Sequence, residues 1–156
     1  MVRKWLEKSL PSTDYRLQLV KLGQCSYNLA TCSINMSFRF EKLDVWQNSR
    51  KFVSNIYSVT KTFPREELFG LTDQLRRAAV SISLNIAEGS NRKSDIEFRR
   101  YLRMAITSAE EVVTALYIAL DQNYITQSQF DPLYEEANLL VAQLNALIKV
   151  SPDELL

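Results

Sequence analysis

The chain has no histidine among its 156 residues. That removes the commonest general acid/base and the commonest transition-metal ligand. Di-metal helix bundles built on Glu-x-x-His are excluded with it. Cysteine is nearly absent too: Cys25 and Cys32 are the two thiols, too few for a four-ligand zinc site without histidine and too few for a disulfide framework. A reduced, cytoplasmic protein is the default expectation. Glycine occurs three times and proline four, which leaves long uninterrupted segments and favours helices over a turn-rich β fold. No apolar run approaches the ~18 to 20 residues that span a bilayer. The opening MVRKWLEKSLPSTDY is basic but lacks the apolar run of a signal peptide. There is no phosphate loop, no Gly-x-Ser-x-Gly and no paired-cysteine metal spacing. No cofactor is expected, and nothing argues for an enzyme.

What is present is ordinary in amount and uneven in placement. At 46% hydrophobic and 24% charged, the chain can bury one core. The net charge of +1 hides an asymmetry: Arg50 to Arg103 holds 11 basic and 6 acidic residues, and Met104 to Leu156 holds 1 basic and 8 acidic. A polarised molecule can steer a polyanion to one face or pair with its own copies. Equally, these charges can be solvated helix faces.

Residues 1–35 lack a sustained helical period. Tyr15, Leu17 and Leu19 alternate with Arg16 and Gln18, a weak strand signal, and Ser26 to Asn35 reads as loop. They read as an N-terminal extension to a domain over 36–156, with Met36 as a natural start, or else as an arm packed on that domain. The later part predicts four helices. The first runs from about Asp44 to Thr60, with a capping-box spacing at Asp44 and Gln47. Pro64, Glu66 and Glu67 open a short turn before Gly70. The second helix runs from about Leu71 to Glu88, carries small residues for close helix approach, and has Gly89 as a left-handed stop. The third opens with a capping box at Ser94 and Glu97, the fourth with one at Thr126 and Gln129, and Pro132 falls in the fourth helix's first turn. Short links force neighbours antiparallel, so the expected fold is all-α, an up-down-up-down four-helix bundle. The stripes are broad enough to leave apolar surface over, which favours oligomerisation.

The candidate functional residues are basic. Arg76 and Arg77 point about 100° apart on the second helix and either pair structurally with neighbouring groups or bind phosphate. Arg92, Lys93, Arg99, Arg100 and Arg103 cluster at the start of the third helix, where guanidinium groups suit phosphate and would give salt-sensitive binding. Tyr101 is a candidate for base stacking. Asn85 reads as a register-fixing core residue, and Glu88 as a partner for an arginine. Paired acids Glu110 with Glu111 and Glu135 with Glu136 read as solvated.

The runs LDVWQNSRKFVSNIY, FPREELFGLTDQLRRAAVSISLNIAEGS and EFRRYLRMAITSAEEV resemble the 23S rRNA intervening-sequence proteins, over about Phe38 to Val150. Ser83 departs from the pattern, since relatives often carry proline there. The resemblance implies a four-helix bundle that assembles as a homo-oligomer, commonly a barrel-like pentamer. Related proteins are accessory factors of diversity-generating retroelements that bind a reverse transcriptase and nucleic acid through basic surfaces. Carried onto this chain, the family's basic positions fall at Arg76, Arg77, Arg92 and Arg99. The leading expectation is therefore a non-enzymatic oligomer that binds RNA or a ribonucleoprotein through its helix 2–3 region. The alternative is a homo-oligomeric scaffold for a protein partner, such as a reverse transcriptase, with no direct nucleic-acid contact.

Overall fold

A computed structural model of the chain describes residues 38–149. The expectations placed on residues 1–35 and on Met36 lie outside the described residues. Four helices follow in order: α1 (Asp44–Val59), α2 (Leu71–Ser90), α3 (Asp95–Asp121) and α4 (Gln127–Ile148). A 3-10 turn, Arg39–Lys42, precedes α1, and two more, Thr60–Thr62 and Arg65–Glu67, lie between α1 and α2. All regular structure among the described residues is helical.

Side-chain pairs fix the direction of each helix. Ser49 meets Ser83 at 2.8 Å, while Thr60, just past α1, meets Arg76 at 2.8 Å; the partner on α2 retreats as α1 advances. Ser81 meets Ser108, and Gly89 lies against Phe98 and Tyr101, so α2 and α3 are antiparallel. Asn48 reaches Gln143 and Asn55 reaches Glu136, so α1 and α4 are antiparallel as well. These three relations leave α3 and α4 opposed, which makes the bundle up-down-up-down. Ile56, Leu75, Ile82, Leu102, Leu116 and Leu144 are fully buried along its axis. Each such side chain contributes about 1.5–3 kcal/mol by leaving water.

The helix ends differ from expectation in four places. Leu43, not Asp44, is the N-cap of α1. Asp44 thus occupies the first helical position, where an acid suits the positive end, and Gln47 donates to the Glu41 carbonyl at 3.0 Å instead of closing a box. Ser94 does cap α3, but without a side-chain hydrogen bond, and the Glu97 charge acts on Arg92 instead. The box at Thr126 does form, with Gln129 Oε1 accepting from the Thr126 N–H at 2.9 Å. Pro132 falls in the second turn of α4, not the first, so the Ser128 carbonyl has no helical N–H to accept from.

The largest difference concerns Gly89. It is not a left-handed stop: α2 continues through Ser90 and is capped by Asn91 in right-handed geometry. What position 89 requires is the absence of a side chain. A Cβ there would lie 2.9 Å from the Tyr101 Cβ, and α2 against α3 is the most extensive helix contact in the bundle. The left-handed stop belongs to α3. Asn123 has φ 58°, the Tyr124 N–H donates to the Ala119 carbonyl, and the Asn123 N–H to that of Leu120. This is the Schellman arrangement, with asparagine in the place glycine more often takes.

Candidate nucleic-acid interface

Antiparallel folding converts the asymmetry between chain halves into one between bundle ends. The start of α1 (with its preceding turn), the end of α2, the start of α3 and the end of α4 lie together. Across residues 38–51, 81–108 and 138–149 there are ten basic and five acidic side chains. The opposite end, residues 52–80 and 109–137, holds four basic and nine acidic ones. The described residues are neutral as a whole, yet one end is +5 and the other −5 by the same count. Such a separation orients a polyanion toward one end.

The seven candidate cations do not form one site. Arg76 and Arg77 stand near the start of α2, about 20 Å of helix rise from Gly89, and belong to the acidic end. Arg76 is half-buried: its Nε donates to Thr60 Oγ1, and its guanidinium lies 4.9 Å from the Tyr57 ring centre. It therefore ties α2 to the end of α1 through a hydroxyl and a ring rather than an acid. Arg77 is exposed and pairs with Asp73 at 3.1 Å within its own helix.

The other five are at the basic end, in two states. Arg92 is engaged. Its Nη2 binds Glu88 and the Tyr101 hydroxyl, and its guanidinium lies 4.8 Å from the Tyr101 ring centre. The Tyr101 hydroxyl in turn donates to Glu88 at 2.7 Å. That hydrogen bond and the Arg92 charge hold the Glu88 carboxyl below its ordinary range, against a smaller opposing effect of burial. The same bond to Glu88, with burial, pushes the Tyr101 phenol up. Burial works against the Arg92 charge, but Tyr101 and Glu88 outweigh it and raise its pKa. Glu88 thus fills the role expected of it, while Tyr101 is committed to this triad and is not a free stacking face. Arg99 is half-buried, 3.9 Å from Asp95, with its Nε enclosed and without a hydrogen-bond partner.

Lys93, Arg100 and Arg103 are different. All three are exposed, and among the described residues none of their side chains meets a hydrogen-bonding or ion-pairing partner. Arg100 and Arg103 are neighbours on one helical face, and Ile96 on the same face is 80% exposed. Asn85 reaches back within α2 to Ser81, which meets Ser108 on α3; the register contact across the two helices is the serine pair. Sequence reasoning missed the cations that folding adds to this end: Arg39, Lys42, Arg50 and Lys51 in and before the start of α1, and Lys149 after α4. Their signal was present in the antiparallel topology, which returns both segments to the α2–α3 turn.

Among the described residues no group of three histidine, cysteine, aspartate or glutamate side chains is placed to hold a metal. No described helix is long and apolar enough to cross a membrane.

The fold and this surface define a four-helix bundle with an electropositive end. The chain belongs to the 23S rRNA-intervening sequence protein family, whose model matches residues 41–146. Among solved structures it is similar to a protein from Bacteroides thetaiotaomicron VPI-5482, described as of unknown function and from the S23 ribosomal protein family. The two share 26% identity with a TM-score of 0.63, over 68% of this chain and 99% of the other. No curated protein matches.

Proposed function

We propose that this protein is a non-enzymatic homo-oligomer that binds RNA, alone or within a ribonucleoprotein, through the basic end of its bundle. The observation that carries the reading is the set of exposed cations Lys93, Arg100 and Arg103, which have no side-chain partner among the described residues; Arg99 beside them is only loosely paired, 3.9 Å from Asp95. Cations already neutralised by protein carboxylates gain little from phosphate; free ones release counterions from a nucleic acid and bind with a salt-dependent affinity. Arg92 belongs to the interface as the group that fixes the α2–α3 turn. Arg76 and Arg77 are assigned to the bundle's own stability.

The test is charge reversal at Arg99, Arg100 and Arg103, compared with Arg77→Glu at the other end. RNA affinity is expected to fall at least tenfold in the triple variant, and the slope of log affinity against log salt to flatten by about one per lost phosphate contact. Arg77→Glu should bind as the parent does. Equal binding by the triple variant, with an unchanged circular dichroism spectrum, overturns the assignment.

The second reading is a homo-oligomeric scaffold for a protein partner such as a reverse transcriptase. It is supported by large apolar side chains left outside the core: Phe69 is 91% exposed in the turn before α2, and Leu84 is 63% exposed on α2. Under this reading the parent has no RNA affinity, and the charge reversal lowers the oligomer mass measured by light scattering. A pentamer is the number the family resemblance implies.

A further inference from the structure

The RNA reading leaves open how a base, as opposed to a phosphate, would be held, because Tyr101 is tied up with Arg92 and Glu88. A second aromatic group lies at the same basic end. The Phe38 ring stacks on Phe40 at 5.4 Å between centres and 8° between planes. Phe40 packs on Trp46 at 4.6 Å, and the Arg50 guanidinium lies 5.0 Å from the Trp46 ring centre. The ladder thus runs from half-buried rings outward to Phe38, which is 59% exposed.

Its outer rung is held in place. The Phe38 N–H donates to Glu41 Oε2 at 3.0 Å, the Glu41 N–H returns to the Phe38 carbonyl, and Gln47 secures the Glu41 carbonyl. Leu43 and Val45 are buried beneath the turn, and the turn packs against α2 as well as α1. Arg39 and Lys42 belong to the same turn, both exposed and without a side-chain partner among the described residues. Core packing accounts for Phe40 and Trp46. It does not account for a largely exposed ring, stacked on a second ring in a turn that also carries two exposed cations.

We infer that Phe38 is a stacking platform for an unpaired base of single-stranded RNA, with Arg39 and Lys42 taking the adjoining phosphates. The inference rests on the RNA reading above and specifies it. A flat exposed ring beside basic side chains accepts any base by its π face, whereas bases within a duplex are already stacked and out of reach. The platform therefore selects single strands, while Lys93, Arg100 and Arg103 contact backbone in either form.

The experiment measures anisotropy of the full chain with a labelled oligouridine of about 12 nucleotides, a length within the usual range of single-strand sites, and with a blunt-ended RNA duplex of matched length. Phe38→Ala should weaken oligouridine binding about tenfold and leave duplex binding unchanged. Phe38→Trp should retain binding. Phe38→Leu, which keeps an apolar side chain but has no ring, should bind as weakly as the alanine variant. Parental affinity in Phe38→Leu, or an equal loss for both ligands in Phe38→Ala, overturns the platform. If the parent binds both RNAs and Phe38→Ala changes neither, the platform fails while the RNA reading stands. If the parent binds neither, the RNA reading fails and takes the platform with it. Should Phe38→Ala prove unstable by thermal melting, the leucine and tryptophan variants decide the question between them.

Discussion

The two ends of this bundle share four helices and one continuous core but differ in net charge and in how the arginines of α2 and α3 are partnered. At the acidic end the arginines of α2 are committed, Arg76 to Thr60 and Tyr57 and Arg77 to Asp73. At the other end Arg92 and Arg99 are paired as well, whereas Arg100 and Arg103 have no side-chain partner among the described residues. The identity of an arginine therefore says little about its role; the neighbours that folding delivers decide it. Arg76 meets a hydroxyl and a ring because α1 and α2 run antiparallel. Arg100 and Arg103 have no side-chain partner among the described residues because they lie on the exposed face of α3.

If the ends differ only at the surface, core lesions must cost the same at both. Leu102 lies in the basic half of α3 and Leu116 in the acidic half, and both are fully buried. Truncation of either to alanine should destabilise by about 2–5 kcal/mol, from lost burial plus the cavity left behind. Urea denaturation followed by circular dichroism measures both. A large cost at one position and a negligible one at the other would mean that the ends fold as separate units, and the comparison would lose its common core.

The glycines sharpen the contrast with a smaller effect. At Gly89 a new Cβ meets the Tyr101 Cβ at 2.9 Å, an atom fixed by its own backbone. At Gly70 the nearest atom is Glu67 Oε2 at 2.7 Å, the far end of a flexible side chain. Gly89→Ala should cost about 1–3 kcal/mol of overpacking, offset in part by the roughly 1 kcal/mol that alanine gains over glycine inside a helix. Gly70→Ala should cost less, since Glu67 can swing away. It would then give up the 2.9 Å bond that caps the Leu71 N–H, a loss of about 1 kcal/mol. Equal melting temperatures for Gly89→Ala and the parent would show that α2 and α3 can separate by a few tenths of an ångström without penalty.

Most of the architecture was legible before any coordinates. The stripes of Leu75, Ile82 and Ile86 on α2 and of Phe98, Leu102 and Leu116 on α3 follow from helical spacing and are buried as expected. The helix bounds hold to within two residues, since sequence patterns report where apolar faces run. Helix ends were less legible because several residue types can satisfy the same orphan groups. A glycine after an apolar run reads as a stop whether it supplies a left-handed turn or merely room, and Gly89 supplies room. The site was legible in composition but not in partnership. Nothing local to the sequence around Arg76 indicates Thr60 and Tyr57, and nothing around Phe38 places it at the end that also holds Lys93.

The smallest expected effect isolates the basic end by pH. The Glu88 carboxyl is held below its ordinary value of 4.5 by the Tyr101 hydroxyl and then by Arg92. A depressed folded value means that the stability Glu88 lends is present above 4.5 and is lost as pH falls through the lower folded value. The alkaline side has the opposite sign. Tyr101 is raised above 10.0, chiefly by its bond to Glu88, so its contribution is complete below 10.0 and lost as pH rises through the folded value. Glu88→Gln should lower the melting temperature slightly at neutral pH and give a shallower decline than the parent as pH falls below 4.5. Tyr101→Phe should flatten the acid decline in the same way, because it removes the hydrogen bond that depresses Glu88 most. A parental acid profile in both variants would mean that the α2–α3 corner is held by the Gly89 contact alone, and that the Arg92 triad adds order to the basic end without adding stability.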